Sequence, residues 1–333
     1  MENLKGKGMN KETLETLRPG MRGWKLWTLL AGVIVAVIIP HLLPRYYIHL
    51  LDLFLIGSLF ALSFNILLGS TGLLSFNHAA YFGVGAYATA LLMKNLGLHY
   101  FIAIPLSMAI TGVIAAIIGY FCSRVVAMPF AILTLAFGEL LFVISSKWYT
   151  LTRGDDGIQS VYPPSIIDSS AGFYYFTLIV VALATLAIWR ILNSPFGYTL
   201  QCIRDNRQRS QSIGINVRHY QWMVFIVSGV FAGLAGSIFV TFNWSVAPTD
   251  LGVVKGGEPI IMTIVGGQYV FGGPIIGAAI FTFFQFFIGK ITIYWALIIG
   301  IVLALVIRFM RGGIGGFIQK KVTARRQAQQ SGV

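Results

Sequence analysis

The sequence predicts an all-α polytopic transmembrane helical bundle of about eight to ten spans, with broken or re-entrant segments and a short cytoplasmic helix. Three observations carry this. Of 333 residues, 56% are hydrophobic and only 11% are charged, with a mean hydropathy of +0.78. A soluble domain usually carries about 25% charged residues. Apolar runs near bilayer-crossing length recur along the chain, whereas a membrane β-barrel would show short alternating segments. The basic residues also cluster on alternate connections, as they do in membrane proteins.

The elements follow in order. Residues 1–25, MENLKGKGMNKETLETLRPGMRGWK, are long, charged and not followed by a small-residue cleavage site. They read as a retained cytoplasmic tail and not as a signal peptide. Apolar runs then suggest spans near 26–43, 50–68, 78–93, 101–121, 128–146, 173–192, 220–241, 258–271, 273–289 and 292–310, within a membrane domain over 26–310. The third, eighth and ninth are short and glycine-rich, so they read as tilted, broken or re-entrant. Residues 311–333 form a basic cytoplasmic tail.

With ten spans and the N-terminus inside, 18 of the 24 Lys and Arg fall inside and six outside: Arg45, Lys94, Lys147, Arg153, Lys255 and Lys290. That bias places both termini and the loop 193–219 in the cytoplasm. Eight spans with two re-entrant halves give the same orientation. The net charge of +13 would point to nucleic acid in a soluble protein. Here it marks cytoplasmic loops, and no nucleic-acid partner is expected. The longest outside loop, about 147–172, reads equally as a simple connection or as a lid or docking surface facing an external partner.

Two glycine-dense stretches stand out, Gly69–Leu92 and Gly256–Ile280. Each reads as a glycine turn with polar residues at membrane depth, then a helix with close small residues: Gly83 and Gly85, or Gly273 and Gly277. Paired interrupted segments point to a transport site; close helix packing explains the same residues. Asn65, Ser75, Asn77 and His78 surround the first stretch. Glu139 sits mid-span, where an ionisable group is costly unless paired or wetted. It serves either as a pathway residue or as a structural acid. Asp52 and Glu258 read as lying near span ends within reach of water. Cys122 and Cys202 form no disulfide framework, and no metal-ligand spacing, cofactor motif or catalytic constellation occurs. A phosphate loop of the GxxxxGK[ST] type is also missing.

The loop NSPFGYTLQCIRDNRQRSQSIGINVRHY is polar and holds Arg204, Arg207, Arg209 and Arg218, with Arg190 just before it. Asn193 or Ser194 suits an N-cap, Pro195 suits a first turn, and Gly214 suits a helix stop. One short amphipathic helix, with Leu200, Ile203 and Ile213 as its apolar residues, is expected between them. A helix lying on anionic lipid is the alternative to a docking element.

The run SPFGYTLQCIRDNRQRSQSIGINVRHYQWMVFIVSGVFAGLAG resembles the cytoplasmic loop and following span of the branched-chain amino acid ABC transporter permease family. LLGSTGLLSFNHAAYFGVGAY, AILTLAFGELLF with LTRGDDGI, and RGGIGGF resemble the same family. The likeness covers roughly residues 45–317 and is closest in kind to the family's M-type subunit. It implies an amino-acid importer of the bacterial inner membrane that is not itself an enzyme. It also implies an H-type permease partner, two ATPase subunits and an extracytoplasmic substrate-binding protein, with the chain itself in contact with membrane lipid. Gly197, Arg204, Asp205, Asn206 and Gly214 match the family's ATPase-coupling positions. Ser210-Gln211-Ser212 departs from the usual Ala-containing stretch. Asn65, Ser75, Asn77, Glu139 and Thr263 are the expected pathway residues. Two other readings remain open at this level: a urea or amide permease of the same family, and a stand-alone carrier with Glu139 as proton coupler.

Overall fold

The computed structural model describes residues 44–292 other than Val126, together with Pro40, Tyr294, Leu297, Ile298, Gly300, Ile301 and Gly313. Most of the expected spans at 26–43 and 292–310, and both tails apart from Gly313, lie outside these residues. The described residues from Arg45 onward belong to one compact unit. Its helices are α1 (Arg45–Thr71), α2 (Ala79–Lys94), α3 (Tyr100–Cys122), α4 (Met128–Lys147), α5 (Ser170–Leu192), α6 (Pro195–Asp205), α7 (Arg207–Ser212), α8 (Val217–Asn243), α9 (Val253–Gly266) and α10 (Gly273–Ile291). Among the described residues six of these, α1, α3, α4, α5, α8 and α10, are long and apolar enough to cross a membrane. The protein is thus an all-α, multi-pass membrane bundle.

Among the six long helices, two are central. In α1 and α8, 72% and 78% of the apolar window is buried, against 28–33% in α3, α4, α5 and α10. The outer four leave large apolar side chains such as Val113, Ile132, Leu183 and Phe287 uncovered, as lipid-facing surfaces do. Helices α2 and α9, the third and eighth expected spans, are only 16 and 14 residues long. At about 1.5 Å per residue neither crosses about 30 Å of hydrocarbon. The ninth, α10, is long enough.

Helix contact in lipid depends on close packing and interhelical hydrogen bonds. A Cβ on Gly85 would lie 2.2 Å from the Gly233 carbonyl oxygen, and one on Gly236 would lie 1.8 Å from that of Phe82. Glycine alone therefore lets α2 and α8 touch backbone to backbone. The α9–α10 hairpin repeats the device, with Gly266 against Gly273 and Gly277 against Met262. Polar bridges fasten α3 to α8. Ser107 and Ser237 hydroxyls lie 2.7 Å apart, Thr241 Oγ1 donates to Tyr100 Oη at 2.9 Å, and Trp222 Nε1 donates to the Ala116 carbonyl at 2.8 Å.

The second glycine stretch departs from expectation. Gly256 and Gly257 lie inside α9, and its turn falls at 267–272, opened by Gly267 at φ +107°. The long loop is likewise not a bare connection. Its Ile158–Gln159 pairs antiparallel with Ser245–Val246, and the Lys94 ammonium donates to the Gln159 carbonyl.

Candidate functional site

Helix α9 begins with Val253 and Val254 exposed and Gly256 buried. After the Ser245–Val246 pairing, the turn Pro248–Leu251 packs against Gly83, whose Cβ would meet the Leu251 side chain at 2.3 Å. Gly83 precedes the Lys94 end of α2 by about 16 Å of helix. The first turn of α9 therefore sits about three helical turns from the Lys94 end of α2. Its Lys255 ammonium lies 5.7 Å from the Phe82 ring centre and 5.2 Å from that of Phe239.

Lys255 Nζ and Glu258 Oε2 form an ion pair of 2.8 Å, with side chains 23% and 19% exposed. The spacing i, i+3 puts both on one helix face. The pair faces a cavity of about 280 Å³ between α1, α2, α8, α9 and α10. Leu53, Ile56, Phe60, Met262 and Phe281 make its wall apolar, and Thr282 and Gln285 add uncharged polar groups. Pro259 lacks the N–H that would bond the Lys255 carbonyl, so that carbonyl has no i+4 partner. These two charges correct the sequence reading. Lys255 lies in a helix and not in a loop, and Glu258 pairs with it at the cavity between α1 and α10. The hydropathy run starts at 258 because Lys255, Gly256 and Gly257 interrupt it. Asp52 is corrected likewise: it is 2% exposed, and its Oδ1 has no hydrogen-bond partner among the described residues.

The other end of α9 meets the basic loop. A second, more polar cavity of about 400 Å³ is lined by Asn65, Gly69, Asn193, Gln201, Arg204 and Tyr269, among others. Arg204 Nη1 donates to the Gly69 carbonyl near the end of α1 at 2.6 Å. Its guanidinium carbon lies 5.4 Å from the Tyr269 ring centre, in the α9–α10 turn. Nε and Nη2 donate to Asp205 Oδ1 at 3.2 and 3.1 Å. One side chain thus joins α6, α1 and the hairpin.

The loop folds as two helices where one was expected. Asn206 takes an extended conformation, ends α6 and caps α7, its Oδ1 accepting from Arg209 N at 2.9 Å. Pro195 opens α6, and Ser194 holds the cap position without a side-chain cap bond. Gly214 at φ +88° ends the segment, its N–H bonding the Gln211 carbonyl. Gly197 is buried where a Cβ would lie 2.1 Å from the Leu192 carbonyl oxygen. Leu200 and Ile203 are buried, but Ile213 is 71% exposed and Tyr198 58%. Ser210 turns inward, its hydroxyl bonding the Asn206 carbonyl at 3.0 Å, whereas Gln211 and Ser212 are exposed.

The expected pathway residues are distributed. Asn65 lines the Arg204 cavity, and its Oδ1 has no partner among the described residues. Ser75 is fully buried, and its hydroxyl likewise has no partner among them. Asn77 is wedged between Gly138 of α4 and Gly256 of α9, where added Cβ atoms would lie 2.4 and 2.9 Å away, and both its polar atoms are unpartnered among the described residues. Thr263 Oγ1 donates to the Ala61 carbonyl at 3.3 Å. Glu139, half-buried on the peripheral α4, lines neither cavity. His78 Nε2 lies 3.2 Å from the Ser63 hydroxyl and 3.4 Å from that of Ser228, tying α1 and α8 beneath α2.

Comparison with known proteins gives consistent matches. A family model described as branched-chain amino acid transport system / permease component matches residues 46–307. The chain is 24% identical over 267 residues to the high-affinity branched-chain amino acid transport system permease protein LivM of Escherichia coli (strain K12), covering 72% of this chain and 63% of that protein. It is 26% identical over 239 residues to the probable branched-chain amino acid transport permease protein LivH of Methanocaldococcus jannaschii, covering 67% and 73%. It is also 26% identical over 149 residues to the autoinducer 2 import system permease protein LsrC of Photorhabdus laumondii, covering 44% and 43%. The LivM match spans a little under two thirds of that protein's length. No solved structure matches.

Proposed function

The chain belongs to the branched-chain amino acid transport permease family, and we propose that it is the M-type membrane subunit of an ATP-binding cassette importer for branched-chain or other hydrophobic amino acids. It carries no phosphate loop, so ATP hydrolysis belongs to two separate ATPase subunits. An H-type permease and an extracytoplasmic binding protein complete the assembly in a bacterial inner membrane, with both termini cytoplasmic.

The observation that carries this reading is the two-sided basic loop. Inward, Arg204 holds α1 and the α9–α10 turn. Outward, Tyr198, Arg209 and Ile213 are exposed on α6, on the Asn206-capped α7 and just after it. An aromatic and an aliphatic side chain beside arginine make a suitable anchor for a soluble partner's cleft. Movement of that partner would reach the Lys255–Glu258 cavity along α9, about 21 Å of continuous helix. A proton-coupled carrier with Glu139 as its proton site draws no support from a residue that lines neither cavity.

The test is recovery of partners on the tagged full chain, co-expressed with H-type permease and ATPase subunits from the same organism. Wild type is expected to retain both. Tyr198→Ala with Ile213→Asp should lower ATPase recovery by about tenfold or more while the second permease still co-purifies. Proton-driven uptake by this chain alone, with no ATPase recovered, would overturn the proposal.

A further inference from the structure

We propose that the Lys255–Glu258 pair is a closed recognition site for a zwitterion, opened by exchange of partners. In the bound form the ligand's carboxylate takes the Lys255 ammonium and its ammonium takes the Glu258 carboxylate. An aliphatic ligand side chain then lies among Leu53, Ile56, Met262 and Phe281. The proposal rests on the importer reading and adds that this subunit itself selects by charge pattern.

Two opposite charges line a largely apolar cavity, with side chains 23% and 19% exposed. Each is expensive away from water unless compensated. Here they compensate each other at 2.8 Å, and the remaining cavity wall is apolar or uncharged. A neutral ligand gains nothing by separating them. A singly charged ligand that separates them leaves one buried charge bare. A zwitterion replaces both partners at once, so two ion pairs stand where one stood and no charge is stranded.

The geometry also leaves bonding capacity open on both groups. An ammonium has three donors and a carboxylate about four acceptor sites, yet one contact joins them. Phe82 and Phe239 face the ammonium and hold it by cation–π attraction while its carboxylate partner changes. The Lys255 carbonyl, without its i+4 donor because of Pro259, offers a further acceptor beside the pair. At about 280 Å³ the cavity is at the small end of ligand sites, fitting a single amino acid.

The experiment uses the full chain in lipid nanodiscs and competition against radiolabelled L-leucine. Unlabelled L-leucine, leucinamide, which lacks the carboxylate, and isocaproate, which lacks the amine, are the probes. In wild type, leucine is expected to compete at least about tenfold better than either analogue. Lys255→Met should weaken leucine about tenfold or more and invert the order, so that leucinamide binds better than isocaproate. Glu258→Gln should invert it the other way. The exchanged variant K255E/E258K should restore preference for leucine. A merely structural ion pair would not reverse analogue preference. Absence of leucine binding to wild type, equal competition by all three probes, or single variants that stay monodisperse without inversion would overturn the proposal. Wild-type competition alone decides if the variants misfold. Failure of the importer reading would appear separately, as loss of ATPase recovery from the wild-type chain.

Discussion

Arg204→Ala is expected to leave the transporter assembled and to lower substrate-stimulated ATP hydrolysis and uptake by at least about tenfold. The guanidinium spans three elements. It donates to the Gly69 carbonyl at 2.6 Å and to Asp205 Oδ1 at 3.2 and 3.1 Å, and it faces the Tyr269 ring at 5.4 Å. The Asp205 pair is solvent-facing and contributes little. The Gly69 bond differs, because a hydrogen bond to a charged donor is worth about 1.5–3 kcal/mol and here it joins a peripheral helix to a central one. Alanine removes the link without touching exposed Tyr198 or Ile213. Arg204→Lys should fail nearly as badly, since an ammonium lacks the planar fork that reaches two partners while facing a ring. Reconstituted complexes in proteoliposomes give the measurement. If Arg204→Ala instead removes the ATPase from the purified complex, the side chain belongs to the docking surface.

Gly236→Leu should abolish recovery of folded protein. The first side-chain atom would sit 1.8 Å from the Phe82 carbonyl oxygen and 3.1 Å from Ala86 N, both backbone. Backbone cannot rotate aside, so α2 and α8 must separate along their shared face. Overpacking commonly costs about 1–3 kcal/mol, and displacement of two packed helices falls at or above that upper end. Phe82 and Lys255 would shift with α2 and the cavity with them. Gly257→Ala is the control. Nothing lies within 4 Å of a Cβ there, and alanine in a helix interior gains up to about 1 kcal/mol over glycine. Fluorescence-detected gel filtration and thermal unfolding in detergent report both. A Gly236→Leu protein that is monodisperse and melts with wild type would refute the close approach.

Much of this architecture is readable from residue order. Apolar length places eight of the expected spans on helices within a few residues, because lipid forces each crossing to be a helix. Glycine spacing identifies Gly85 and Gly277 as contact points. The sequence also flags Asn65, Ser75 and Asn77 as unusual, and each is a buried polar side chain with an unpartnered atom. What escapes is anything set by how the chain re-enters the bundle. Hydropathy has no term for the Pro248–Leu251 turn descending onto Gly83, so Lys255 counts as an outside charge. Helical period likewise runs through Asn206, where a side-chain cap outweighs continuity and splits the loop helix. The inward turn of Arg204 depends on a carbonyl 135 positions away in the chain, which no local pattern encodes.

The grip of Arg204 on both Gly69 and the Tyr269 turn has a mechanical consequence. The Lys255 cavity lies between α1 on one side and α9 and α10 on the other, along the N-terminal half of α1. Those two walls are fastened together at the Arg204 end, as shears are at their pivot. A push delivered there changes the angle between the blades, so displacement grows with distance from the pin. Spin labels at Leu53 and Gln285 should therefore separate more during the transport cycle than labels at Leu67 and Tyr269. Equal changes at both positions would indicate that the walls slide past each other and do not swing.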